Sequence, residues 1–348
     1  MILTRSPHYI NVPINFPLTT TGVTLELYIW TGAQASPPAT PNYTLTKKVP
    51  SASTSELNID ISSKIHDFLT GDLLSNATTG LIAGGNTVVW AKYDITYNDD
   101  TEIIANLSNT LLAIEGYGKY EQGGNPDYPS TNFMLDGDTF QISRTGSFCV
   151  PFLIVESEIT VSEDGGTPAS FPLTVTTNST TMVGYLWING ASYTGNILTV
   201  TMGANTIRLE LVDECKYTPQ DVCFINKYGF QQIMPFFKEK VETLRVKDKT
   251  YRNTVINNAN YTTSDHQIKT YNKTGQKSVT LTSGFYYEEN NEEFEQLLLS
   301  ERVWFLSNQV FTPVKVTRSS MQFKTRQNDK LVGYKVGFDY AFDTINSA

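Results

Sequence analysis

The chain has 348 residues, of which 40% are hydrophobic, 12% aromatic and only 18% charged, with a net charge of −9 from 26 basic and 35 acidic side chains. That length suits two or three domains of roughly 100–200 residues each, and a mean hydropathy of −0.25 with abundant Tyr and Phe excludes both a disordered chain and a membrane-spanning one. The acidic balance argues against a protein wholly dedicated to nucleic acid, while the polarity carried by Thr, Ser and Asn leans towards β structure.

Residues 1–122 read as one β-rich unit. Val23, Leu25, Leu27 and Ile29 alternate with Glu26, Tyr28 and Trp30, the two-residue period of a strand. Further strands are expected at Asn42–Lys47, Glu56–Ile61, Thr87–Tyr97 and Thr110–Lys119. Asp60–Leu69 fits a short helix capped by Ser62 or Ser63, with Ile65, Phe68 and Leu69 as its apolar face. Short strands at this spacing suggest a sandwich. The Gly- and Pro-punctuated stretch Gln122–Pro129 breaks both helix and strand and reads as a linker.

A second, small β unit covers 131–212, with strands expected at Phe148–Ile154, Ile159–Ser162, Phe171–Val175, Met182–Ile188 and Thr206–Val212. It is small enough to be an insertion within a larger domain. Residues 213–348 form the third unit, with strands at Val222–Ile225, Phe230–Phe237, Lys277–Tyr287, Val310–Thr317 and Asp329–Phe342. Its helix is Asn291–Ser300, capped by Asn290 or Asn291, with glutamates in the first turn and an apolar stripe of Phe294, Leu297 and Leu298 for a sheet to cover. The fold class expected is mainly β: tandem β-sandwich-like domains, then a C-terminal α+β module carrying one short helix on a sheet.

Charge is spread unevenly along the chain. Residues 1–140 carry 6 basic and 14 acidic side chains, and 141–226 carry 3 and 8. Residues 227–277 reverse the sign with 10 basic and 4 acidic, and 278–348 return to 7 and 9. Lys238, Lys240, Arg245, Lys247, Lys249 and Arg252 lie in the basic stretch, partly at alternate positions. Lysines of this kind protect strand edges from unwanted pairing, and they also suit contact with an acidic neighbouring surface or with phosphates.

No catalytic site is specified. The chain has no Gly-x-Ser-x-Gly elbow, His-Glu-x-x-His, P-loop or Gly-x-Gly-x-x-Gly, and no cofactor is called for. His8, His66 and His266 are scattered, and Cys149, Cys215 and Cys223 form no disulfide framework. Cys215 and Cys223 read as packed or surface thiols, with pairing across the turn at Pro219 the alternative. Asp136 with Asp138, and Glu156 with Glu158, are carboxylate pairs a glycosidase reading would use, though surface turns account for them more simply. Asn98–Glu102 and Asp136-Gly-Asp offer oxygen ligands without a full calcium loop. Six Asn-x-Ser/Thr sequons reflect an Asn- and Thr-rich composition, because the start lacks the apolar run of a signal peptide. Synthesis in a reducing cytosol is the default.

The C-terminal third carries a recurring pattern. Leu211–Phe236 holds a cysteine, a strand, the turn Asn226-Lys-Tyr-Gly and another strand; Leu297–Leu306 is followed by Thr312–Thr317; Lys324–Ala341 closes the chain. Over about 135 residues this resembles tail proteins of phages that infect Bacteroidota, including the crAss-like phages. The resemblance implies a structural, non-enzymatic part of the virion tail, made in the host cytoplasm and built as a multi-copy ring or hub. Its implied partners are further copies of itself and other tail or portal-proximal proteins, with DNA contact only transient if the ring encloses the channel. A glycan-binding, adhesin-like tail module is the alternative, for which Trp30, Trp90 or Trp187 would have to be exposed to stack on sugar.

Overall fold

The computed structural model describes residues 1–14, 20–50, 55–71, 73–84, 87–99, 103–126, 132–175, 183–254, 262–317 and 331–345. Outside these lie part of the acidic run at 100–102, the end of the linker, the sequons at Asn178 and Asn260, and Lys324–Lys330 of the C-terminal pattern.

The fold is mainly β, with several sheets and one short helix near the C-terminus. The alternation at Val23–Trp30 belongs to the strand Thr20–Trp30, whose Val23, Leu25, Leu27 and Ile29 are buried. In hydrogen-bonded order its sheet runs Ile2–Leu3, Ile103–Ile114, Val88–Asp99, Thr20–Trp30 and Tyr43–Lys48. The antiparallel pair Tyr9–Pro13 and Glu56–Asp60 contributes Ile10, Val12, Leu57 and Ile59 to the same core. The strand expected to run to Lys119 stops at Ile114, and the chain turns away through Gly116 and Gly118.

Helix α1 spans Ser62–His66, and neither serine caps it. Asp60 does so instead, its Oδ1 accepting from the Ser62 N–H at 3.0 Å and the Ser62 hydroxyl at 2.7 Å. A carboxylate two residues upstream is already placed by its strand, so it reaches the free N–H groups first. Ile65 is buried, whereas Phe68 and Leu69 lie beyond the helix and pack on the core only partly.

Two further sheets face each other around Phe140, Phe148, Phe152, Leu186 and Leu209. One runs Ala169–Pro172, Glu158–Glu163, Ile197–Met202, Asn205–Val212 and Thr139–Ser143, with the last pair parallel. The other runs Ser147–Leu153, Val183–Asn189 and Gly80–Ala83. Gly80–Ala83 comes from the N-terminal segment and pairs with Val183–Asn189 about a hundred residues downstream.

The C-terminal sheet has seven strands: Gln231–Phe236, Gln220–Ile225, Val303–Ser307, Val310–Val316, Lys335–Tyr340, Ile268–Thr282 and Lys240–Arg252. Helix α2, Asn291–Leu299, lays Phe294 and Leu297 on it, both fully buried. Asn290 occupies the cap position without capping. Its amide donates to Thr139 O at 3.0 Å and to Glu293 Oε1 at 2.8 Å, while Asn291 Oδ1 accepts from the Tyr334 hydroxyl.

One apolar cluster joins all three regions. It holds Leu3, Trp30, Trp90 and Ile114, then Met134, Cys149, Tyr185 and Trp187, then Cys223, Phe230, Ile233 and Leu306. Polar contacts follow the same route. The buried amide of Gln231 pairs with both backbone groups of Leu74 at 2.7 and 2.8 Å, and Arg302 meets Glu115 in an ion pair. The sheets therefore share buried surface rather than standing as beads on a string.

Candidate assembly surfaces

The basic stretch folds into a long β-hairpin arm. Lys240–Arg252 is the edge strand of the seven-stranded sheet, and all thirteen of its residues are exposed. It pairs with Ile268–Thr282, which in turn is backed by Lys335–Tyr340 only across Ser278–Thr282. Two further bonds among the described residues support the ribbon beyond that point, from the Gln276 amide to Tyr340 O at 3.5 Å and from the Thr344 N–H to Gly275 O at 2.7 Å. Among the described residues, Lys247–Arg252 and its partner strand then project as two strands for roughly 20 Å, at about 3.4 Å per residue.

Alternation gives the arm two different faces. Arg245, Lys247 and Lys249 share one face with Gln276, Thr274 and Asn272, and Tyr251 opposite Lys269 continues it. A register shift at Lys249/Thr250 leaves Tyr271 beside Tyr251, with ring centroids 6.0 Å apart. The other face bears Leu244 and Val246, which are 54% and 50% exposed, with Ile268 opposite Arg252. That face continues the one which buries Val279 and Leu281 at the base of the sheet. Among the described residues, Arg245, Lys247, Lys249 and Lys269 have no ion-pair partner.

Three of the six basic residues singled out from the sequence thus share a face, and Lys269 joins them from the opposite strand. The other three fall elsewhere. Lys238 sits at the base of the arm in an ion pair with Glu214, whose carboxyl is held below the usual range by that hydrogen bond. Lys240 pairs with Glu242 at 2.9 Å, and Arg252 lies on the apolar-bearing face. The alternation 245, 247, 249 was visible in the sequence, but nothing local placed Lys269 across from it.

A second surface is a cleft of about 600 Å³ lined by Tyr117, Glu121, Asp136, Tyr228, Glu289 and Glu292, with Lys119 and Lys227 among them. The Asn226-Lys-Tyr-Gly turn builds one wall. Asn226 Oδ1 accepts from the Tyr228 and Phe230 N–H groups at 3.0 and 3.1 Å, and its amide donates to Met134 O at 2.8 Å. Gly229 closes the turn at φ 82°, a conformation that disfavours side chains with a Cβ. The Lys227 N–H donates to Gln296 of α2 at 3.0 Å, and Lys227 O accepts from Tyr117 N–H at 2.8 Å, tying three segments together.

The cleft is acidic on balance. Lys227 is ion-paired with Asp136, and Lys119 with Glu292 at 2.7 Å, so both lysines are engaged. Glu121 and Glu289 have no ion-pair partner among the described residues. Burial pushes the Tyr117 hydroxyl up to about 12, and burial with the nearby Asp136 and Glu292 carboxylates pushes Tyr228 up as well. Both rings therefore stay neutral, as hydrogen-bond donors and as faces for cations; the Lys227 ammonium already lies 5.2 Å from the Tyr228 ring centroid.

The other sequence candidates do not converge. Asp136 is taken up by Lys227 and Gln296, Asp138 accepts from its neighbour Thr139, and Glu158 accepts from Ser170 across a strand pair. Trp30, Trp90 and Trp187 lie in the shared core, which removes them as sugar-stacking platforms. Cys215 is an exposed free thiol, while Cys149 and Cys223 are free and buried. Among the described residues no helix is long and apolar enough to cross a membrane. No family model matches the chain, and no curated protein matches it.

Proposed function

We infer that the chain is a structural component of a bacteriophage virion tail, assembling in many copies as a ring or hub around the tail axis after synthesis in the host cytoplasm. The observation that carries this reading is the arm: thirteen consecutive exposed strand residues with a basic face whose Arg245, Lys247 and Lys249 have no ion-pair partner among the described residues. A two-stranded ribbon is marginal on its own in water, and long exposed edges are usually blunted rather than extended. An arm of this kind is accounted for by a neighbour that covers it. The C-terminal sequence pattern supplies the tail context, and other tail or portal-proximal proteins are the further partners. Asp136, Asp138 and Glu158, the carboxylates a glycosidase reading would use, are engaged in local bonds, which favours a scaffold over an enzyme. DNA contact is transient, and arises only if the ring encloses the channel.

Reversing Arg245, Lys247 and Lys249 to Glu tests the reading directly. The variant should keep the wild-type melting curve, because all three residues are exposed, and should fail to form the rings that the wild type is expected to form in electron micrographs. Unchanged rings in the variant would count against it.

A further inference from the structure

We propose that the arm of one copy seats its basic face in the acidic cleft of the next copy, an inference that rests on the multi-copy reading above. Among the described residues the arm's basic face meets no acidic group of its own chain. Every residue of Lys240–Arg252 is exposed, and none of the arm lines the cleft. The two surfaces are complementary in sign and in form. Arg245, Lys247, Lys249 and Lys269 present cations along one face of a ribbon, at roughly 7 Å intervals along a strand. The cleft offers Glu121 and Glu289, still without cationic partners among the described residues, beside two tyrosine rings that already carry Arg5 and Lys227 over their faces. Its volume of about 600 Å³ takes a few long side chains rather than a whole strand, as roughly 300–1,000 Å³ holds small ligands elsewhere. The seat therefore grips the basic side chains while the ribbon itself lies across the mouth.

Arm and cleft are different patches, so their union is heterologous. Such contacts propagate head to tail and close into a ring or run on as a filament, according to the rotation between copies. The cleft wall is the Asn226-Lys-Tyr-Gly turn and the arm leaves the same sheet. The arm and one wall of the seat thus belong to the C-terminal unit, while Glu121 and Asp136 reach the cleft from earlier segments packed against it.

The test uses the full-length protein and three variants followed by sedimentation velocity: Lys247→Glu with Lys249→Glu, Glu121→Lys with Glu289→Lys, and all four changes in one chain. Each pair should weaken self-association at least about tenfold, more so at low salt, since close charge pairs across interfaces couple strongly and are screened by salt. The four-change chain should recover association in part, because the two new arm carboxylates now face the two new cleft lysines. Glu121→Gln with Glu289→Gln provides a milder change that should weaken association less, with melting curves confirming the fold of every variant. If the cleft variants associate like the wild type while the arm variant does not, the arm lands elsewhere; the seat is then overturned and the multi-copy reading stands. A wild type that stays monomeric at every concentration overturns the multi-copy reading itself. If the arm variant associates normally but loses binding to a duplex oligonucleotide, the basic face meets phosphates and the seat is overturned.

Discussion

Replacing Asp221 with Asn should flatten part of the fall in stability expected of the wild-type protein between about pH 4 and pH 8. Asp221 lies in the strand Gln220–Ile225, 8% exposed, between the second and third groups of sheets. Its Oδ2 accepts from the Ser147 N–H at 3.1 Å, and Oδ1 has no partner among the described residues. Burial raises this carboxyl from 3.8 to about 7, outweighing the Ser147 bond that acts in the opposite direction. Glu293 on α2 behaves alike: burial raises it from 4.5 to about 8, against the Asn290 hydrogen bond.

The sign follows from proton counting. Both groups are protonated in the folded protein where the unfolded chain has already ionised them. Their stabilisation is complete below about pH 4 and is lost as pH rises through about 7 and 8. At about 1.4 kcal/mol per unit, each group accounts for a decline on the order of 4 kcal/mol across that window. Glu163 and Glu214, lowered by hydrogen bonds from the Thr194 and Gly195 backbone and from Lys238, act the other way, towards lower pH. Urea midpoints measured from pH 4 to pH 9 should therefore fall steeply for the wild type and less steeply for Asp221→Asn and for Glu293→Gln. Both variants should exceed the wild type at pH 8. Parallel curves for all three proteins would show that neither group is held neutral by the fold.

Phe294→Ala should cost about 3–5 kcal/mol, the usual range for emptying a buried aromatic site. Phe294 is fully buried and edge-packed on three rings: Tyr334 at 4.8 Å, Tyr286 at 5.2 Å and Phe236 at 6.3 Å between centroids. Such aromatic contacts add to the area term. Helix α2 has nine residues, too few to persist without its sheet, so the same change should loosen the helix that carries Glu292 into the cleft. Equilibrium urea unfolding measures the loss, and a cost under about 1 kcal/mol would mean the helix is not held by this side chain.

The parts legible in the sequence were those whose local pattern and tertiary role agree. Val23–Trp30 alternates because one face is buried, and Phe294 and Leu297 recur at helical spacing because one stripe meets a sheet. Gly80–Ala83 gave no signal: four residues with a Gly at one end become a strand only because Val183–Asn189 offers an edge. The arm's residues were seen as basic, but Lys240–Arg252 buries neither face, so hydrophobic periodicity had nothing to report. The cleft was out of reach for another reason. Its residues come from 117–122, 136–137, 227–228 and 289–292, and only the folded sheets bring those stretches together. Asp221 is harder still, since a strand buried on both faces carries no mark of which polar residue will be starved of water.

The placement of Gly80–Ala83 also orders events during synthesis. The nascent chain emerges N-terminus first, so this strand leaves the ribosome about a hundred residues before Val183–Asn189, the partner it needs. Trp30, Trp90 and Ile114 wait in the same way for Cys149, Trp187 and Phe230. The first sheet can form early, but the apolar side it turns towards the later strands stays wet until most of the chain is out. A nascent chain arrested after Ile114 has emerged but before Val183 has would therefore display a folded sheet with an uncovered apolar flank, and that arrested species is where a chaperone would have most to hold.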